Sequence, residues 1–435
     1  MKVGFISLGC NKNLVDTEKT IALFREHNYE IVNQPELADI IVVNTCGFIT
    51  SAKEEAISTI LEMAEYKKKN CKYLIAMGCL VERYQLELEK ALPEVDLYIK
   101  YSEYDTLWSK IETLVKNKEF KEQRNFMDLT ERVITTGKNY AYLKVADGCS
   151  NFCTYCAIPA IRGPQKSRTM ESILEEAKKL ATEGYHEIIV TAQDTTRYGV
   201  DVYGKPMLAE LLQELSKIED IHWIRFLYSY PETITDELIE VVKHSNKICH
   251  YFDIPIQHVS DSVLKRMNRK SNGESIRKLI QKLRTEIPDV IIRTTVMVGF
   301  PGETQENFEE LYQFLQEAKF DKLGAFAYSK EEGTPASRMN EQIHPATKKS
   351  RYHKIMELQS QISKDNLKQK IGKEYEVMIE GTTKNQKYYI ARSYMDVPEI
   401  DGVVFLENTQ PLKIGEFATC KITEVKEYDL IGKII

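Results

Sequence analysis

Short apolar runs alternate along the chain with longer stretches whose apolar residues recur every three or four positions, which is the pattern of strand, turn and amphipathic helix repeated. Over the first hundred residues the runs at 3–8, 39–44 and 73–77 read as strands, each followed by a helical stretch. Such alternation predicts a parallel sheet covered by helices. Residues 107–138 are dense in charge and poor in periodicity, which predicts one last helix and then a linker. A longer alternation begins at Tyr140, with strands expected at 142–146, 187–192, 223–228, 251–255, 290–298 and 323–328 and helices between them, as at 172–182 and 307–317. Six βα units are too few to close an eight-fold barrel, so the expectation is a partial, open (β/α)6 barrel with its site at the C-terminal ends of the strands. The basic stretch 346–370 carries Tyr352, Ile355, Leu358 and Ile362 at near-helical spacing and predicts a connecting helix. About five short strands then crowd into the last 65 residues, the size of a small OB-like β-barrel that looks like an accessory recognition module.

The expected fold is therefore α/β: an N-terminal parallel α/β sandwich over residues 1–115, the open barrel over 137–345, the connecting helix over 346–370 and the small β-barrel over 371–435. With 435 residues, 43% hydrophobic and 29% charged, the chain can bury large cores. Its longest apolar runs, such as Ile40-Ile41-Val42-Val43, fall well short of the roughly 20 residues of a membrane helix. The opening residues read directly as a strand, without the succession of charged, apolar and small residues of an export signal, so a cytoplasmic protein is expected. A net charge of −6 argues against a surface that tracks phosphate throughout, while local basic patches leave direct nucleic-acid contact open.

Nine cysteines in such a chain favour metal or catalytic use over a disulfide framework. Cys149, Cys153 and Cys156 follow the first barrel strand in the spacing Cys-x-x-x-Cys-x-x-Cys. Three thiolates within eight residues can wrap one iron-sulfur cluster, and a four-iron cluster with three protein thiolates keeps one iron open to a cofactor or substrate. A structural zinc would call for a fourth ligand, and no Cys or His lies close behind Cys156. The arrangement resembles that of the radical S-adenosylmethionine (SAM) class, and the resemblance implies that the residue before the last cysteine, Tyr155, sits beside the adenine. Cys10, Cys46 and Cys79 each follow a strand and precede a helix. In a parallel sheet these positions share the carboxyl edge, near helix N-termini that favour thiolate, so a second three-thiolate cluster is inferred. Cys71 precedes its strand and is expected at the opposite edge; Cys249 and Cys420 are set aside with it.

These residues resemble the methylthiotransferase family, in which an N-terminal cluster domain, a radical SAM domain and a C-terminal TRAM barrel follow in that order, and the resemblance covers essentially the whole chain. The segment Ser7-Leu8-Gly9-Cys10-Asn11-Lys12-Asn13-Leu14-Val15-Asp16-Thr17-Glu18 is similar to the signature of the RimO branch, with Thr17 where serine is usual. Asn44-Thr45-Cys46-Gly47-Phe48-Ile49, Ala192-Gln193-Asp194-Thr195-Thr196 and Tyr328-Ser329-Lys330-Glu331-Glu332-Gly333-Thr334 are similar to that branch as well. The resemblance implies insertion of a methylthio group at the β-carbon of an aspartate of small-subunit ribosomal protein S-twelve, with two 4Fe-4S clusters and two SAM molecules. The β-hydrogen would be taken by a 5′-deoxyadenosyl radical made at the Cys149/Cys153/Cys156 cluster, and the sulfur carried at the Cys10/Cys46/Cys79 cluster. Expected partners are the S-twelve protein and an electron donor such as flavodoxin or ferredoxin, with no membrane.

Candidate SAM contacts near strand ends are Gln193, Asp194, Arg225, Gln257, Gly299 and Gly302; the two glycines could equally make a tight turn. Arg168 is a weaker candidate for the SAM carboxylate, and His258 reads as a packing histidine. The last 65 residues carry a net charge of −3, which suits a basic protein partner better than RNA. Two rivals stay open: a tRNA methylthiotransferase acting on isopentenyladenosine beside the anticodon, and a non-enzymatic two-cluster electron carrier.

Overall fold

The run Ile40-Ile41-Val42-Val43 is apolar throughout because both its faces are buried: Ile40 and Val42 pack with Phe24 and Trp108, Ile41 and Val43 with Ile60 and Leu80. In the computed structural model, which describes residues 1–137 and 139–435, this run is the centre of an entirely parallel five-stranded sheet. Lys138, at the end of the stretch expected to be a linker, lies outside the described residues. The strands are β1 (Lys2–Ser7), β2 (Glu30–Ile31), β3 (Ile40–Thr45), β4 (Tyr73–Gly78) and β5 (Leu97–Lys100), in the order β2-β1-β3-β4-β5. Helices α1 (Asn11–Glu26) and α4 (Leu107–Lys116) cover one face, α2 (Thr50–Ala64) and α3 (Cys79–Ala91) the other. Three of the strands stand where the apolar runs put them. The other two, β2 and β5, span only two and four residues, too short to show a period.

The second alternation folds as expected into six parallel strands: β6 (Tyr140–Lys144), then, beyond the short antiparallel pair β7 (Ala146–Asp147) and β8 (Lys166–Ser167), β9 (Glu187–Thr191), β10 (Trp223–Phe226), β11 (Tyr251–Gln257), β12 (Ile291–Val298) and β13 (Lys322–Ala327). They form two sheets, β10-β9-β6 and β11-β12-β13, joined by a bridge between Ile224 and Ile248 and by the Ser229 N–H, which donates 2.8 Å to the Asp253 carbonyl. The barrel is thus an open arc with helices outside. The basic helix Pro345–Lys368 lies along β13, where Ile355 is buried and Gln359 Nε2 donates 3.0 Å to the Phe320 carbonyl.

The last five strands, β14 (Glu374–Thr382), β15 (Tyr388–Ser393), β16 (Val404–Glu407), β17 (Phe417–Val425) and β18 (Leu430–Ile434), close a barrel in the order β14-β15-β16-β18-β17. This barrel is more than an outlying module. Its 394–401 loop reaches the interior-facing residues of the open barrel: Arg225 Nη1 donates 2.7 Å to the Tyr394 carbonyl, Lys322 Nζ 2.7 Å to Asp396 Oδ1, and Tyr251 Oη 2.7 Å to Asp401 Oδ2. The loop fills space that six strands alone leave open.

Candidate functional site

Three chain turns at the carboxyl edge of the first sheet bring Cys10, Cys46 and Cys79 together. Cys10 is the N-cap of α1, Cys46 directly follows β3, and Cys79 opens α3. Their close nesting requires glycine. Gly9 has φ +89° and a Cβ there would lie 2.7 Å from the Cys46 Cβ; Gly78 has φ +102° and would strike the Thr45 carbonyl at 2.7 Å. Neither α1 nor α3 has a side-chain N-cap, so amide N–H groups and the positive end of each helix dipole remain beside Cys10 and Cys79. Cys71, by contrast, is buried before β4, with its thiol 3.3 Å from the Tyr73 carbonyl.

The second set hangs from the loop after β7. Cys149 and Cys153 are buried, Cys156 half-buried, and the Cys153 Sγ stands 3.7 Å from the Tyr230 hydroxyl. The loop is held from outside: Thr154 N donates 3.0 Å to the Met267 carbonyl, and Asn151 Nδ2 donates 2.7 Å to Asp194. Tyr155 packs edge-on to Phe300.

Both sets face one cavity of about 410 Å³, lined by Cys10, Cys46 and Cys79 on one side and Cys149 and Cys156 on the other. Burial pushes the Cys79 and Cys149 thiols up to about 11 and Cys156 up to about 12. Within each set the neighbouring sulfurs contribute to this rise, Cys10 acting on Cys46 and Cys79, and Cys153 on Cys149 and Cys156. Such groups become thiolates when a metal draws off the proton. Among the described residues no three His, Cys, Asp or Glu side chains are gathered to clasp a single ion. A cluster asks for something looser, with each thiolate on a different iron, and two convergent triplets, five of whose six cysteines line a roomy cavity, fit that donor set.

Of the residues expected to contact SAM, Tyr155, Gln193 and Gln257 line the cavity. Gln193 Nε2 donates 2.7 Å to Asp147, and Gln257 takes φ +66° at an irregularity that ends β11. Asp194 lies outside the lining, bonding Asn151 and Thr196, with burial raising its carboxyl. Arg225 is placed elsewhere: its guanidinium is fully buried on Glu187, at 2.9 Å, and on the 394–401 loop. Gly299 and Gly302 form the turn after β12 at φ +70° and +82° and are not among the residues that line the cavity. Arg168 is sealed behind the barrel against Glu176 and Ser172. His258 is buried 3.2 Å from Glu303, as a packing histidine.

A charge cluster that periodicity alone does not reveal joins the first two domains. Asp16 of α1 meets Lys144 of β6 and Arg162, which also pair with Asp147 at 2.8 and 2.6 Å, and all four side chains are at most 2% exposed. Burial and the two adjacent cations act in opposite senses on Asp147, and the cations prevail, holding its carboxyl well below the usual range. The signal was present: Lys144 ends an otherwise apolar strand, and Asp16 lies inside the first cysteine segment. Lys12, Tyr228 and the Asp253–Arg293 pair, 2.9 Å apart, also line the cavity and were not among the expected contacts.

Residues 2–100 match the uncharacterized protein family UPF0004, residues 143–315 the radical SAM superfamily, and residues 371–435 the TRAM domain. The chain is similar to proteins named "Ribosomal protein uS12 methylthiotransferase RimO" from Alkaliphilus oremlandii, 62% identical over 100% of this chain and 99% of that one, and from Caldicellulosiruptor saccharolyticus, 52% identical over 100% of both. Among solved structures it resembles a radical SAM methyltransferase, TsrM, from Kitasatospora setae with cobalamin and a 4Fe-4S cluster bound. That match has a TM-score of 0.59 and 12% identity over 77% of this chain and 76% of that one, a likeness of fold alone.

Proposed function

Because the chain belongs to the radical SAM methylthiotransferase family of its RimO-named relatives, we propose that it inserts a methylthio group at the β-carbon of an aspartate of ribosomal protein S-twelve. The observation that carries this reading is the single cavity lined by both cysteine sets. A cluster on Cys149, Cys153 and Cys156 with SAM on its open iron would supply radical chemistry for an unactivated C–H bond, and a second cluster on Cys10, Cys46 and Cys79 would hold the sulfur to be delivered.

The chain's own residues bind, orient and shield. Tyr155, Gln193 and Gln257 form the wall for SAM, while Asp194 fixes the cysteine loop through Asn151 and so acts as a positioning residue. Phe48, Phe326 and Ile400, one from each domain, line the same cavity with apolar surface that limits water around reactive species. The net charge of −3 on the last 65 residues supports a basic protein as partner over RNA. Electrons must come from outside the chain, and a flavodoxin or ferredoxin is the proposed donor. The reaction is placed in the cytoplasm, where ribosomal proteins are found.

Mass spectrometry of the anaerobically reconstituted enzyme, given SAM, a reductant and either a peptide of the S-twelve aspartate loop or an anticodon stem-loop with isopentenyladenosine, tests the reading. A methylthio adduct on the peptide alone is expected; an adduct on the RNA alone would overturn it.

A further inference from the structure

We propose that Lys12 receives the side-chain carboxylate of the substrate and so selects aspartate, an assignment that rests on the function proposed above. Among the described residues, three cationic side chains line the cavity: Lys12, Arg162 and Arg293. Arg162 is neutralised by Asp147 and Asp16, at 2.6 and 3.1 Å, and Arg293 by Asp253 at 2.9 Å. Lys12 is 6% exposed and, among the described residues, has no acidic partner. It stands in the first turn of α1, which holds no acidic residue and where the helix dipole disfavours a cation. No carboxylate among the described residues offsets Lys12, which leaves its side chain free to receive a carboxylate that enters the cavity it lines.

The surroundings are built for that. The Lys12 Nζ lies 3.3 Å from the centre of the Tyr228 ring, a face that attracts an ammonium without neutralising it. Tyr228 has φ +63°, a left-handed conformation that a bulky residue rarely adopts, and it is held there by Asp253 Oδ2 on its N–H and by the Thr195 N–H on its carbonyl, both at 3.0 Å. The strain places the ring under the ammonium. In an aspartate the β-carbon is bonded directly to the carboxylate carbon, so a carboxylate anchored at Lys12 keeps the reacting carbon inside the cavity that both cysteine sets line. Asparagine has the same shape but no charge, and hydrogen bonds between two charged partners are roughly twice as strong as neutral ones.

The test compares a fluorescent peptide of the aspartate loop with its counterpart carrying asparagine at the target position, each titrated by anisotropy onto reconstituted, SAM-loaded enzyme. The wild-type chain is expected to favour the aspartate peptide by about tenfold to a hundredfold. Lys12→Met should bring the ratio of dissociation constants close to one, and Lys12→Arg should restore most of it. Equal weakening of both peptides in Lys12→Met would show a packing role and overturn the assignment. A fall in SAM affinity with the peptide ratio intact would do so too, giving the carboxylate site to the methionine end of SAM. Wild-type enzyme that binds neither peptide would instead remove the function on which the assignment rests.

Discussion

Replacing Asp16 by Asn leaves the shape of α1 unchanged but makes Lys144 and Arg162 share the single carboxylate of Asp147 in a region almost closed to water. Breaking a buried ion pair by removing one partner costs about 3–5 kcal/mol, because the remaining charge stays desolvated. Asp16 is the one charge that the first domain contributes to this cluster, so the loss falls on the docking of that domain against the barrel. At about 1.4 kcal/mol per factor of ten, the docking equilibrium should shift by roughly two to three and a half orders of magnitude. Hydrogen exchange reads this directly, as a matching loss of protection at the amides of α1 and β6 while the interior of the C-terminal barrel keeps its own. The double variant Asp16→Asn/Lys144→Met leaves one cation on one anion and should recover more than half of the loss. Unchanged protection in the single variant, or a double variant worse than the single, would refute the view that charge balance holds these domains together.

The same cluster sets an acid response. The Asp147 carboxyl titrates below its unfolded value, so its contribution is complete above pH about 4 and is lost as pH falls from there towards the folded value; proteolytic nicking between the domains should be flat from pH 7 to 5 and rise only below pH 4. Arg225→Met should strand part of the Glu187 charge and loosen the C-terminal barrel by about 3 kcal/mol, seen as earlier thermal unfolding, with the dissociation constant of SAM unchanged; a large loss of SAM affinity would return Arg225 to the cofactor site. Asp194→Ala releases Asn151 and frees the cysteine loop, so reconstitution should load less iron, whereas Asp194→Asn should load nearly as much as wild type; equal loading by both variants would remove Asp194 as the loop's anchor.

Periodicity and cysteine position carried most of this architecture. The six barrel strands and both cysteine triplets stand where short apolar runs and strand-to-helix turns put them, because those patterns report local conformation and sheet edges always gather such turns. What local pattern cannot report is which face of a strand meets which distant element. Arg225 ends near a strand terminus in sequence, yet its side chain turns to Glu187 and to a loop about 170 residues further on. Gly299 and Gly302 stand at positive φ in the turn after β12. Asp16, Lys144 and Arg162 became a cluster only once α1 docked on β6, a contact between residues more than 120 positions apart. The 394–401 loop inside the open barrel was hidden for the same reason: its partners are spread from Arg225 to Lys322.

We propose that two three-thiolate clusters face one cavity and divide the work, and the iron content and product profile of two triple variants, Cys10/Cys46/Cys79→Ala and Cys149/Cys153/Cys156→Ala, reconstituted side by side with wild type, decide it. Each variant should hold about half the wild-type iron. The first should still cleave SAM to 5′-deoxyadenosine while delivering no methylthio group, and the second should do neither. Wild-type iron content in either variant, or 5′-deoxyadenosine formed without Cys149, Cys153 and Cys156, would contradict the account.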